Sequence, residues 1–145
     1  MTARFRALAP GQVQLLPSLF QQRFELNRQY LMSLKSEALL QNFHLEARLR
    51  QVSFRVRLHG EPGCGDDWHW GWESPTCQVR GHFLGHWLSA AGRTYASTGD
   101  AAIKAKADAI IAELGRCQER NGGEWVGSIP ESYLHWTAKG QPTWA

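Results

Sequence analysis

The stretch Gly71-Trp72-Glu73-Ser74-Pro75-Thr76-Cys77-Gln78-Val79-Arg80-Gly81-His82-Phe83-Leu84-Gly85-His86-Trp87-Leu88-Ser89-Ala90 decides how the rest of the chain is read. An aromatic, glycine-rich loop runs here into a helix, expected over 79–96. At 100° per residue, His82, His86, Ser89 and Arg93 fall on one stripe of that helix. Phe83, Trp87 and Ala90 cover a second side, and Leu84, Leu88, Ala91 and Tyr95 a third. Gly81, Gly85 and Gly92 lie between the third side and the polar stripe, where a neighbouring helix can come close. A helix apolar over most of its surface is expected to be buried. Its polar stripe must then meet other polar groups, a ligand, or water in a cavity.

Downstream, Thr98-Gly99-Asp100 ends this helix and starts the next, with Gly on the C-terminal side and Asp as N-cap. The next helix is expected over 101–120. Ile103, Ala107, Ile110, Leu114 and Cys117 form its inner stripe, while Lys104, Lys106, Asp108, Glu113 and Arg116 face away. So short a turn makes the two helices antiparallel neighbours. One is expected to be buried nearly all round and the other half exposed. An α/α toroid, in which inner helices line a cavity and outer helices shield them, requires this alternation. Asn121-Gly122-Gly123 stops the outer helix, and Glu124-Trp125-Val126-Gly127-Ser128-Ile129-Pro130-Glu131 reads as a loop.

Upstream, Gln12 to Pro17 reads as a short extended segment. Ser18 and Gln21 fit a capping box opening a helix to about Ser33, with Phe20, Phe24 and Leu31 as its apolar stripe. Asn27 falls on that side and is expected to be buried, tying two elements together, with a ligand contact as the alternative. Ser36 is expected to cap a second helix over 37–45, with Leu39, Leu40 and Phe43 inward. Val52, Phe54, Val56 and Leu58 alternate with Ser53, Arg55, Arg57 and His59, a strand pattern. The expected fold class is therefore all-α: a partial (α/α)6 barrel with a short extended N-terminal segment and long irregular loops.

Length and composition fit one domain, 1–145, that is incomplete as a toroid: 145 residues with 43% hydrophobic and 20% charged content. A net charge of +3 is too small to argue for nucleic acid. Cys64, Cys77 and Cys117 form neither a disulfide framework nor a CxxC pair. No signal peptide and no run of ~18 apolar residues is visible, which points to the cytoplasm and away from a membrane. Secretion or a periplasmic location is left open. Half a toroid exposes its inner helices, so self-association is expected.

Several segments resemble the N-terminal part of glycoside hydrolase family 127, the β-L-arabinofuranosidase-like proteins. They are Leu15-Leu16-Pro17, Leu26-Asn27-Arg28-Gln29-Tyr30-Leu31, Leu39-Leu40-Gln41-Asn42-Phe43, Gly71-Trp72-Glu73, Arg80 to Ala90, Thr98-Gly99-Asp100, and Glu113-Leu114 with Cys117-Gln118. The resemblance spans 12–145, and its most specific part is Gly-His-Phe-Leu-Gly-His-Trp-Leu-Ser-Ala. It implies an (α/α)6 catalytic barrel and retaining hydrolysis of L-arabinofuranose or related sugars. It also implies zinc, held by Cys and Glu ligands around a Cys nucleophile, with a Glu acid/base. No Cys-Cys pair or Glu-x-Cys element stands in this sequence. No catalytic residue, metal ligand or cofactor is therefore assigned to this chain, and it is expected to supply pocket wall to a carbohydrate site. Where the family has Gly-Tyr-Leu after the outer helix, this chain has Glu124-Trp125-Val126.

The candidate substrate-binding residues are Trp72, Glu73, His82, His86 and Trp125. An aromatic face stacks on the C–H face of a sugar while carboxylates and imidazoles take its hydroxyls. Simpler roles stand beside each. Trp72 packs its loop down and Glu73 makes a surface ion pair; His82 and His86 are structural or, at i and i+4, hold zinc as in a small hydrolase. A helical scaffold, or a sugar-binding module without catalysis, is the other alternative. Cys117 reads as core and Cys77 as an idle thiol.

Overall fold

The structure is a computed structural model, and it describes residues 6–51 and 68–140. Among these residues six helices follow in order: α1 (Leu19–Ser33), α2 (Ser36–Leu39), α3 (Gln41–Glu46), α4 (His82–Thr98), α5 (Ala101–Arg120) and α6 (Ser132–Ala138). Two 3-10 turns, Pro10–Gln12 and Gly71–Glu73, accompany them. Among the described residues no strand forms, and the fold class is all-α as expected. The alternating segment 52–58 lies outside the described residues. No helix among those described is long and apolar enough to cross a membrane.

The core lies between α4 and α5, which pack together along their length. Leu84, Trp87 and Ala91 of α4 meet Ile103 and Ile110 of α5, and Leu31, Leu39 and Leu40 close the cluster from the other side. Ile103, Ile110 and Cys117 recur every seven residues and are all at most 1% exposed, so α5 turns one narrow stripe inward. The hairpin is tight because Gly99 adopts φ +70 and lets the chain reverse. Asp100 then accepts hydrogen bonds from the amides of Ala102 (3.0 Å) and Ile103 (3.3 Å). Its other oxygen pairs with Arg28 of α1, so one carboxylate caps α5 and ties it to α1.

Trp87 is the pivot of the core. Its ring is 1% exposed, and its indole N–H donates to the carbonyl of Leu31 at 3.0 Å. The ammonium of Lys106 sits 5.5 Å from the same ring and donates to the carbonyls of Met32 (2.9 Å) and Leu34. A cation thus satisfies the free carbonyls at the C-terminus of α1. Burial pushes the Lys106 ammonium below its ordinary pKa, opposed by Glu37.

Several expectations need correction. Lys106 and Glu113 do not simply face solvent: the first caps α1, and the second meets His44 Nε2 of α3 at 3.2 Å. The helix over 37–45 is two short helices hinged at Leu40, and Ser36 makes no side-chain cap. The hinge turns Gln41 and Asn42 inward. On α1 only Leu31 is buried; Phe20 is 75% exposed and Asn27 is exposed too. Helix α4 starts at His82, not at position 79, because Gly81 holds φ +85 and breaks the helical path. Nor is α4 covered all round: His82, His86, Ser89 and Arg93 are exposed, and the face bearing Gly85 and Gly92 is open. Helix α6 was not expected; it buries none of its residues, so it left no apolar period to read.

The Asp100 contact gives a pH prediction. The hydrogen bond from Arg28, with help from the Ala102 and Ile103 amides, holds the Asp100 carboxyl below the usual carboxylate range. A group with a depressed folded pKa contributes stability above its unfolded value and loses it as pH falls through the folded value. The Asp100→Ala protein is expected to be less stable than wild type by about 1 kcal/mol near neutrality, from the lost cap. That gap should close as pH falls below about 4, as read from urea denaturation of both proteins across the acid range.

Candidate functional site

The site is built from Glu73 outward. Glu73 ends the 3-10 turn of the tryptophan loop and is 8% exposed. Its side chain is largely covered, at 11% exposure. One oxygen accepts the amide hydrogen of Gly81 at 2.6 Å, and the other accepts that of Phe83 at 2.9 Å. These are first-turn amides of α4, which have no partner within the helix. A carboxylate there satisfies them and meets the positive end of the helix dipole. From the sequence, a surface ion pair or a sugar contact is expected of Glu73. The structure gives it a third duty, as a cap contributed from a loop rather than from the residue just before the helix.

The carbonyl of Glu73 is held from the opposite side. Gln41 and Asn42 are buried, at 0% and 1% exposure, and donate to it at 2.6 and 2.9 Å. Gln41 also accepts the amide hydrogen of His69 (2.6 Å) and donates to its carbonyl (2.8 Å). Its amide group therefore pairs with the loop backbone as a strand neighbour would. Two primary amides inside an apolar run, Leu39-Leu40-Gln41-Asn42-Phe43, were the available signal for this clasp, and the sequence reading did not use it. Trp68 closes the loop base beneath Arg50, whose guanidinium lies 3.8 Å from the ring centroid. Burial lowers the pKa of His69, against the opposing charge of Glu73.

Gly81 is where loop, helix and the 124–131 segment meet. A Cβ there would lie 2.2 Å from Cβ and Oγ of Ser128, so only glycine fits. Ser128 Oγ donates to the carbonyl of Arg80 (2.8 Å), and Arg80 Nε donates back to the carbonyl of Ser128 (2.9 Å). Arg80 also reaches the Cys77 carbonyl (3.2 Å) and Glu46 (3.5 Å). Trp125 braces the far side of this segment: its indole N–H donates to the carbonyl of Ile129 at 3.0 Å.

Between these walls lies an open groove of about 810 Å³, lined by Trp72, Gln78, Val79, Arg80, Gly81, His82, Ser128 and Ile129. Trp72 is 74% exposed, and its ring centroid is 6.2 Å from that of His82. His82 and His86 sit edge to face at 5.6 Å. The structure therefore brings Trp72, Glu73, His82 and His86 into one cluster. Trp125 stands behind the groove wall, not in it. Gln78, Arg80, Ser128 and Ile129 are wall residues that the sequence reading missed, because their closeness depends on how 124–131 folds back.

Zinc, implied by the resemblance, finds no donor set among the described residues. Among the described residues no three His, Cys, Asp or Glu converge on one point. Cys117 is buried in the core, where burial pushes its thiol up, away from the thiolate a metal needs. Cys77 is a free thiol near the groove rim, and Cys64 lies outside the described residues. The described residues thus do not fit zinc.

The cap yields a direct prediction. Glu73→Gln turns an amide hydrogen toward Gly81 or Phe83 and should cost about 1–3 kcal/mol. Gly81→Ala should cost at least as much, from the φ of +85 and the Ser128 clash. Gly85→Ala lies in the same helix with nothing within 4 Å of its Cβ; it should instead gain roughly 0.5–1 kcal/mol. Urea midpoints of the three variants measure this order.

Comparison with known proteins agrees with the earlier resemblance. The family model described as the β-L-arabinofuranosidase, GH127 catalytic domain, matches residues 12–145. No curated protein and no solved structure matches the chain. With the match running from the first 3-10 turn through α6, the chain belongs to the glycoside hydrolase family 127 catalytic-domain family, the β-L-arabinofuranosidase-like glycosidases.

Proposed function

We propose that this chain forms the sugar-binding wall of a glycosidase acting on L-arabinofuranose-type sugars, with the bond-breaking groups supplied from outside these residues. The observation that carries the reading is the pair of neighbouring rings, Trp72 and His82, with centroids 6.2 Å apart on the lining of an open groove. An exposed indole offers a flat apolar face to the C–H side of a furanose ring. The imidazoles of His82 and His86 offer hydrogen-bonding nitrogens to its hydroxyls. The exposed stripe His82, His86, Ser89 and Arg93 supports the same reading: in a closed α/α barrel it would look into the central cavity. Glu73 acts through the groove wall, and Trp125 through the segment that carries Ile129.

Binding of L-arabinose, and of a β-L-arabinofuranoside that is not cleaved, is expected to change tryptophan fluorescence of the wild-type chain. Trp72→Ala and His82→Ala should each weaken that binding about tenfold or more, the equivalent of ~1.4 kcal/mol, with His86→Ala weaker in effect. Lys104→Ala, on the outer surface of α5, should leave it unchanged. Equal affinity in all four variants would overturn the groove as the sugar site. Hydrolysis of an aryl β-L-arabinofuranoside by these 145 residues alone would overturn the placement of the bond-breaking groups elsewhere.

A further inference from the structure

His82 is the groove residue whose chemistry its surroundings fix. Its Nδ1 lies 2.7 Å from the carbonyl oxygen of Val79 and 3.2 Å from Oε1 of Glu73. Both neighbours are acceptors. An unprotonated Nδ1 would face two oxygens with a lone pair, whereas an Nδ1–H satisfies both. The Glu73 carboxylate cannot swing aside to relieve such a clash. Its oxygens are already pinned by the amides of Gly81 and Phe83, and its backbone carbonyl by Gln41 and Asn42. Among the described residues the ring's other nitrogen, Nε2, has no such partner, and the ring, 39% exposed, lines the groove.

We infer that Glu73 is a positioning residue: with the Val79 carbonyl it holds His82 in the Nδ1–H form, so that Nε2 presents a lone pair to the groove and selects a neutral ligand that donates a hydroxyl hydrogen there. This deepens the sugar-groove reading and rests on it. The same arrangement disfavours anions. A lone pair backed by a carboxylate repels a phosphate or carboxylate. The guanidinium of Arg80, on the same wall, is committed to the carbonyls of Ser128 and Cys77 and to Glu46. The ligand class is thus a neutral polyol, not a phosphorylated or acidic sugar.

Long-range proton–nitrogen NMR of the 15N-labelled chain, above the imidazole titration range, tests this. For His82 the expected spectrum has a protonated Nδ1 and an unprotonated Nε2; the reverse assignment overturns the inference. L-Arabinose should move the Nε2 resonance toward lower frequency, as a lone pair accepting a hydrogen bond does, and inorganic phosphate should not. A fluorescence response of Trp72 to L-arabinose with a stationary Nε2 overturns the acceptor role while leaving the sugar groove standing. If L-arabinose moves neither signal, the groove reading fails and takes the ligand selection with it. The free protein's tautomer still decides what Glu73 does. In Glu73→Ala and in the closer-shaped Glu73→Gln, the Nε2–H population should rise, which a mere loss of stability would not produce in a folded protein. An unchanged tautomer in either folded variant overturns the role of Glu73.

Discussion

A carboxylate buried under the first turn of α4 accepts the amide hydrogens of Gly81 and Phe83, and the candidate site hangs from that contact. Helix starts are ordinarily satisfied by the side chain of the residue just before them. Here that residue is Gly81, which has no side chain and which the close approach of Ser128 requires to be glycine. The cap must therefore come from elsewhere, and it comes from Glu73, eight residues upstream. One interaction thereby fixes where α4 begins, where the tryptophan loop lies, and how His82 is turned.

The rest of the fold supports that junction from behind. Gln41 and Asn42 hold the carbonyl of Glu73 only because the chain hinges at Leu40 and turns both amides inward. Helices α2 and α3 keep their place because Leu39 and Leu40 join the core with Trp87 and Ile110. Trp87 and Lys106 fasten the C-terminus of α1 to the same hairpin. Polar contacts at chain ends and apolar contacts along the hairpin thus act on one another: loss of the core would free the amides, and loss of the amides would free the loop. One buried atom in this network, Asn42 Oδ1, finds no hydrogen-bond partner among the described residues. Such an acceptor lowers stability rather than adding to it.

The helical hairpin was plain in the sequence. Gly99-Asp100 and Asn121-Gly122-Gly123 are local signals, and the caps and stops they predict are the ones formed. The stripe through Ile103, Ile110 and Cys117 was equally plain, since one face of one helix is a one-dimensional pattern. The cluster of Trp72, Glu73, His82 and His86 was legible as a set of neighbours across a loop–helix boundary. Their roles were not. Glu73 reads as surface because a carboxylate usually is, and nothing local says that two helix amides await it. Lys106 and Glu113 read as outward for the same reason, and both find partners on α1 and α3 far away in the chain. The clasp between Arg80 and Ser128, and the bracing by Trp125, depend on an irregular segment folding back onto α4, which no period encodes. The burial expected for α4 assumed neighbours on every side; among the described residues it has them on one face.

The central claim is that the Glu73 carboxylate, and not the helix itself, secures the start of α4. Amide hydrogen exchange at Gly81 and Phe83 in wild type and Glu73→Ala measures this most directly. Both amides are expected to be slow in wild type, as slow as amides in the middle of α4. In the variant they should exchange at close to unprotected rates while Ile103 and Ile110 in α5 keep their protection. Fast exchange at Gly81 and Phe83 in the wild-type protein, or protection unchanged by the loss of Glu73, would contradict the account.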